Sequence, residues 1–101
     1  MTDELVTFEE AEKTLLERGE RIMRFRAQYD EGIVNPVVLA ALLKVRPQMI
    51  YNYIKQGKLP EQYNETQKMV IPWATAVEFA RAYLNRKATK AAKIAAELQG
   101  E

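Results

Sequence analysis

Two prolines, Pro36 and Pro47, each follow a residue able to open a helix, and this punctuation constrains the middle of the chain more than any other feature. A proline in the first helical turn loses no hydrogen bond and has its φ preset, so each one marks a start. Asn35 is a good N-cap for the first helix, expected over about 36–43. The second, expected over about 47–56, ends at Gly57. Leu39, Ala40, Leu43, Val45, Ile50, Tyr53 and Ile54 would meet in the angle between the two, with Ala40 small enough to allow close approach. The pattern is helix, turn, helix.

The flanks read more simply. Thr7-Phe8-Glu9-Glu10 matches a capping box, so a helix should begin at Phe8. Phe8, Ala11, Leu15, Ile22 and Tyr29 share one face at 100° per residue, with Phe25 at its edge, which extends the expected helix to a stop at Gly32. Glu9/Lys13, Glu17/Arg21 and Glu20/Arg24 place Glu four residues before a base, each pair worth a few tenths of a kcal/mol. The arginines of this segment are therefore read as helix-surface partners, and Gly19 within it costs about 1 kcal/mol relative to Ala. After Gly57, two extended pieces at about 58–63 and 68–71 surround the polar turn Asn64-Glu65-Thr66-Gln67 and read as a small β-wing. From Pro72 or Trp73 to about Leu98 there is no Gly or Pro and Ala is frequent, so a long final helix is expected.

At 101 residues the chain is long enough for one domain, divided as an N-terminal helix (1–32), a core (33–85) and a C-terminal helical extension (86–101). With neither Cys nor His, disulfides, thiolate metal sites, thiol nucleophiles and imidazole acid–base chemistry are excluded. No catalytic residue, metal, cofactor or small-molecule ligand is expected. No apolar run reaches the ~18–20 residues needed to cross a bilayer, and the acidic start MTDELVTFEE is unlike a signal peptide, so the expectation is a cytoplasmic protein with no membrane partner.

Charge is nearly balanced, fifteen basic side chains against fourteen acidic, but it is unevenly placed. Residues 1–32 carry five basic and nine acidic groups, residues 33–60 four basic and no acidic, and residues 61–101 six basic and five acidic. Such asymmetry marks a candidate interaction surface. A second basic run, Arg81, Arg86, Lys87, Lys90 and Lys93, lies on the last helix with no acid between Glu78 and Glu97; it reads either as phosphate-brushing or as the polar face of an Ala-rich helix.

The stretch ALLKVRPQMIYNYIKQGKLP, then a short wing, then KMVIPWATAVEFARAYL resembles the winged helix-turn-helix of phage excisionases and MerR-type regulators, over roughly residues 35–85. The resemblance implies a mainly α fold: a winged helix-turn-helix core with a small β-wing, flanked by long N- and C-terminal helices. It implies binding of double-stranded DNA, with Pro47–Gln56 in the major groove and a wing at about Tyr63–Lys68 against the backbone or minor groove. The sequence departs from the pattern at three places: Lys44 stands where many such turns carry Gly, Arg46 where the N-cap is often Ser, and Glu65-Thr66-Gln67 where wings are usually basic.

With Ile50 inward, Gln48, Asn52 and Lys55 form one outward row, flanked by Tyr51 and Gln56. Gln and Asn pair a donor with an acceptor, which suits the N6/N7 edge of adenine, and Lys55 can reach guanine acceptors or phosphate. Any solvated helix face also shows Gln, Asn and Lys; the acid-free span is what favours DNA. The candidate DNA-binding set is Lys44, Arg46, Gln48, Tyr51, Asn52, Lys55, Gln56, Lys58 and Lys68, with Tyr51 stacking on sugar or packing beneath the wing, and Trp73 read as a core or helix-start anchor. The expected function is a small sequence-specific DNA-binding protein, a transcriptional regulator or an excisionase-like architectural factor, possibly phage-encoded. The alternatives are a protein–protein adaptor or a phage packaging or assembly component on the same scaffold. Val77, Ala80, Leu84, Ala91, Ile94 and Leu98 follow a 3-4 spacing that suits a homodimer or cooperative oligomer, or else packing on the first helix within one chain.

Overall fold

The computed structural model describes residues 6–99, with side chains described through residue 88. It is mainly helical with one small antiparallel sheet. In chain order the elements are α1 (Phe8–Gly19), α2 (Phe25–Asp30), β1 (Ile33–Val34), α3 (Pro36–Leu43), α4 (Pro47–Lys55), β2 (Gln62–Tyr63), β3 (Met69–Pro72) and α5 (Trp73–Gln99).

The capping box at Thr7 forms in full: the Glu10 amide donates to Thr7 Oγ1 (3.1 Å) and the Thr7 amide to Glu10 Oε1 (2.9 Å). The single long N-terminal helix expected from the sequence does not form. α1 stops at Gly19, and a turn carries the chain into α2. The reason is steric. A Cβ on Gly19 would lie 2.4 Å from the Phe25 ring, so the missing side chain is the seat of that ring. Breaking the helix turns Phe25 from the edge of the stripe into the core, where it is 4% exposed, and leaves Ile22 and Tyr29 only partly buried. Glu17/Arg21 and Glu20/Arg24 consequently fall across the break rather than on one helix face.

α3 and α4 lie where the prolines place them. Asn35 Oδ1 accepts from the Val38 amide (2.7 Å), and the Asn35 amide donates to Gln28 Oε1 (2.9 Å), which ties α2 to the start of α3. Leu39, Ala40, Leu42, Leu43, Ile50 and Ile54 are buried between and behind these helices, with Val45 and Tyr53 packed against them. α4 ends at Lys55 with Gln56 as its C-cap, and Gly57, at φ 80°, lets the Lys58 amide turn back to the Tyr53 carbonyl (2.9 Å).

The sheet has the order β1-β3-β2 with both pairings antiparallel. β2 and β3 pair about the expected polar turn, with the first extended piece, expected over about 58–63, reduced to Gln62–Tyr63; β1, only two residues long, is absent from the sequence expectation and pairs Val34 with Ile71. At the wing tip the Gln67 amide donates to the Asn64 carbonyl (3.0 Å), and Gln67 takes φ 63°, a type I turn followed by a left-handed residue. Asn64 Oδ1 accepts from the Thr66 and Lys68 amides (3.0 and 2.9 Å), stiffening the tip without a glycine.

α5 runs back antiparallel over α1. Trp73 Nε1 donates to Glu12 Oε2 (2.8 Å) near the start of α5, and Asn85 Oδ1 accepts from the Val6 amide further along. Trp73 also meets Phe25 and Tyr29 edge-on, at ring separations of 5.7 and 5.1 Å. Val77 and Ala80 are fully buried and Leu84 partly so, which means the first half of the 3-4 stripe is used within the chain, in the layer where α5 packs on α1. The side chains of Ala91, Ile94 and Leu98 lie outside the described residues, as do those of Lys90 and Lys93. Among the described residues no helix is long and apolar enough to cross a membrane.

Candidate nucleic-acid interface

α4 has two unlike faces. Ile50 and Ile54 are buried, while Gln48, Asn52, Lys55 and Gln56 are exposed and Tyr51 is half-buried. The outward row is already ordered: Gln48 Nε2 donates to Asn52 Oδ1 (3.0 Å), one turn along the helix. That bond leaves Gln48 Oε1 and Asn52 Nδ2 free to meet an incoming group, and a carbonyl oxygen can still accept a second bond. Lys55 occupies the last turn, where its charge also favours the negative end of the helix dipole.

The turn before α4 carries two exposed cations. Lys44 caps α3 in the left-handed region, at φ 60° and ψ 42°, a conformation that costs a residue with a Cβ roughly 1–2 kcal/mol. Its amide donates to the Ala41 carbonyl (3.2 Å), and the Val45 amide reaches the Ala40 carbonyl (2.9 Å), so the strained turn is well bonded. Arg46 is the N-cap of α4 in extended conformation, as a residue before proline prefers, and makes no side-chain capping bond. Its guanidinium is therefore not committed to the helix end.

The structure brings two residues to this turn that the sequence reading assigned elsewhere. Arg18 and Arg21 line a shallow cavity with Glu17, Ile22, Ala41 and Lys44. Arg18 Nη1 donates to the Leu42 carbonyl (2.7 Å), satisfying an orphan acceptor at the end of α3. Neither is simply a partner for a glutamate on its own helix. Sequence spacing could not have shown this, because the contact joins α1 to α3 across the core.

At the other end of α4, Lys58 is exposed but not extended away: Nζ lies 5.3 Å from the centre of the Tyr53 ring, in cation–π contact. Tyr53 itself meets Phe79 edge-on at 5.1 Å. Tyr51, by contrast, is not among the side chains packed against the core. Lys68 is exposed on the wing, while the wing also carries exposed Glu61 and Glu65. Tyr63 donates to Glu61 Oε2 (2.6 Å), and this bond, with desolvation and the carboxylate charge, raises the phenol above its ordinary value. The wing is thus a mixed-charge surface beside a basic helix.

Gln48, Tyr51, Asn52 and Lys55 share one helix, with Gln56 as its C-cap, one residue short of the expected helix end; Lys44 and Arg46 stand at its beginning and Lys58 just past its end; Lys68 lies apart, in the turn between β2 and β3. Among the described residues no group of acidic, His or Cys side chains could hold a metal ion. Comparison with known proteins returns no match: no family model, no curated protein and no solved structure.

Proposed function

We propose that this chain is a small double-stranded DNA-binding protein of the winged helix-turn-helix type, acting without a cofactor as a transcriptional regulator or an excisionase-like architectural factor. The observation that carries the reading is α4: an exposed Gln48/Asn52/Lys55 row with no carboxylate from Ile33 to Pro60, seated on buried Ile50 and Ile54. The nine residues of α4 span about 13 Å, close to the ~12 Å width of the major groove. A helix of that length lying in the groove would present its outward row to base edges, with Lys44 and Arg46 at one end and Lys58 at the other to meet phosphates.

In this reading Lys44, Arg46, Lys55 and Lys58 neutralise phosphates. Log K should then fall against log salt with a slope of roughly −3 to −5 per subunit, and Arg46→Ala should flatten it by about one. Salt-independent binding removes the reading.

Self-association belongs to the same proposal. α5 continues past Asn85, the residue that meets Val6, and the sequence of that overhang keeps the 3-4 spacing at Ala91, Ile94 and Leu98. Pairing there would hold two reading helices in fixed relation and match a two-fold site. A chain ending at Asn85 should keep its fold and sediment as a monomer; a full-length chain that is itself monomeric at high concentration refutes the pairing.

One observation favours a second reading, a protein–protein adaptor. The break between α1 and α2 leaves Met23 98% exposed in a groove lined also by Leu16, Ile22, Phe25 and Tyr29 and edged by the charged Glu20 and Arg26, a feature that DNA binding does not use. An adaptor would be unaffected by Asn52→Ala and disabled by Met23→Glu.

A further inference from the structure

A cavity of about 460 Å³ lies between the end of α4 and the middle of α5, lined by Tyr53, Tyr83, Arg86 and Lys87. Two of these residues are aromatic and two are cationic, and among the described residues no carboxylate lines it. Lys58 is in contact with the ring of one of its lining residues, Tyr53. The nearest cation upstream on α5, Arg81, is already paired with Glu78 (3.0 Å). Arg86 and Lys87 are exposed, with no ion pair among the described residues.

The phosphate grip proposed above draws its cations from the chain segment Lys44–Lys58. This groove adds two more from a different element, and the two are linked at Tyr53, which lines the groove and whose ring Lys58 contacts. We propose that the Tyr53–Tyr83–Arg86–Lys87 groove is a phosphodiester-binding site that carries the DNA backbone from the C-terminal end of α4 onto α5, lengthening the duplex footprint beyond the base pairs facing α4. The inference rests on the DNA-binding reading. Its chemistry is that of a backbone track: cations neutralise the phosphates, and the tyrosine rings present apolar faces to the sugars with hydroxyls at their rims. Among the described lining residues there is no Asn or Gln amide to pair with a base edge, so the proposed contribution is independent of sequence.

The test uses the full chain and fluorescently labelled random-sequence duplexes of about 10 and about 30 base pairs, one and three helical turns, titrated over a salt series. Replacing both cations, Arg86→Gln with Lys87→Gln, should make the salt slope on the long duplex shallower by about 1.8. That corresponds to a loss of roughly sixty-fold in affinity at 0.1 M salt relative to a 1 M reference. On the short duplex the change should be much smaller, and the charge-preserving pair Arg86→Lys with Lys87→Arg should retain the wild-type slope. Both side chains are exposed, so the double variant should melt with the wild type. An unchanged slope on the long duplex overturns the groove assignment; if Arg46→Ala still flattens the slope in that case, the DNA-binding reading itself survives. A loss seen only with single-stranded oligonucleotide also overturns it, since the occupant would then be unpaired bases stacking on the tyrosines. Failure of the wild type to bind any duplex at low salt removes both proposals together.

Discussion

The molecule contains two helix pairs joined by tight turns, and the joints are built in opposite ways. Between α1 and α2 the joint depends on a missing side chain, Gly19, which leaves room for the Phe25 ring. Between α3 and α4 it depends on a side-chain-bearing residue, Lys44, held at φ 60° where glycine would be easier. The first joint leaves Met23 fully exposed; the second presents Lys44 and Arg46, with Leu42, Leu43 and Ile50 buried beside them. A left-handed lysine is a strained choice for a turn that serves packing alone. It is a reasonable one where a cation is wanted next to the start of α4, and on the proposed DNA-binding reading the first joint has a structural role and the second a binding role.

Substitutions at the two joints should separate these roles. The largest effect is expected behind the second joint, where Leu42→Ala removes a fully buried side chain next to the turn. It should lower stability by about 2–5 kcal/mol, whereas Leu16→Ala, half-buried at the first joint, should lose only about 1 kcal/mol. Denaturant melts of the two variants check the difference, and equal losses would mean that the joints are equally committed to the core.

Next in size is Gly19→Ala. Alanine is the better helix former by about 1 kcal/mol, but its Cβ would meet the Phe25 ring at 2.4 Å. Overpacking of this kind typically costs about 1–3 kcal/mol, so a net loss of stability is expected in thermal unfolding. A gain would show that the chain prefers the continuous helix.

Smaller, and opposite in sign, is Lys44→Gly. Relief of the left-handed strain should raise stability by up to about 1 kcal/mol, or roughly 4–8 °C in Tm for a domain of this size. The same change should weaken binding to every duplex and flatten the salt slope by about 0.9. Stability and affinity moving together would contradict the role assigned to the second joint.

The two joints were also unequally legible. Asn35-Pro36 and Arg46-Pro47 are local signals, decided by the backbone chemistry of adjacent residues, and the bounds of α3 and α4 followed closely from them. The capping box at Thr7 and the Gly- and Pro-free run of α5 are of the same kind. Gly19 was not legible, because the stripe Phe8, Ala11, Leu15, Ile22, Tyr29 continues past it at helical spacing, and the break is decided by a ring packing from six residues away in sequence. β1 escaped for a related reason: Ile33-Val34 is a strand only by virtue of its pairing with β3, far along the chain. The α4 row was readable from helix periodicity. Arg18 and Arg21 beside Lys44, and Tyr53 across from Tyr83, come together only through the packing of helices distant in sequence.

The central claim, that the acid-free face of α4 reads base edges in duplex DNA, is tested most directly by comparing wild type with Asn52→Ala on a selected cognate duplex and on random duplex of equal length. Asn52 is exposed and held by Gln48 on the outward row, so its loss should leave the fold intact. The account predicts that Asn52→Ala loses roughly 1–3 kcal/mol of binding free energy on the cognate duplex and much less on random DNA, because base contacts specify and phosphate contacts position. Equal losses on the two duplexes, or no duplex bound by the wild type at low salt, would contradict it.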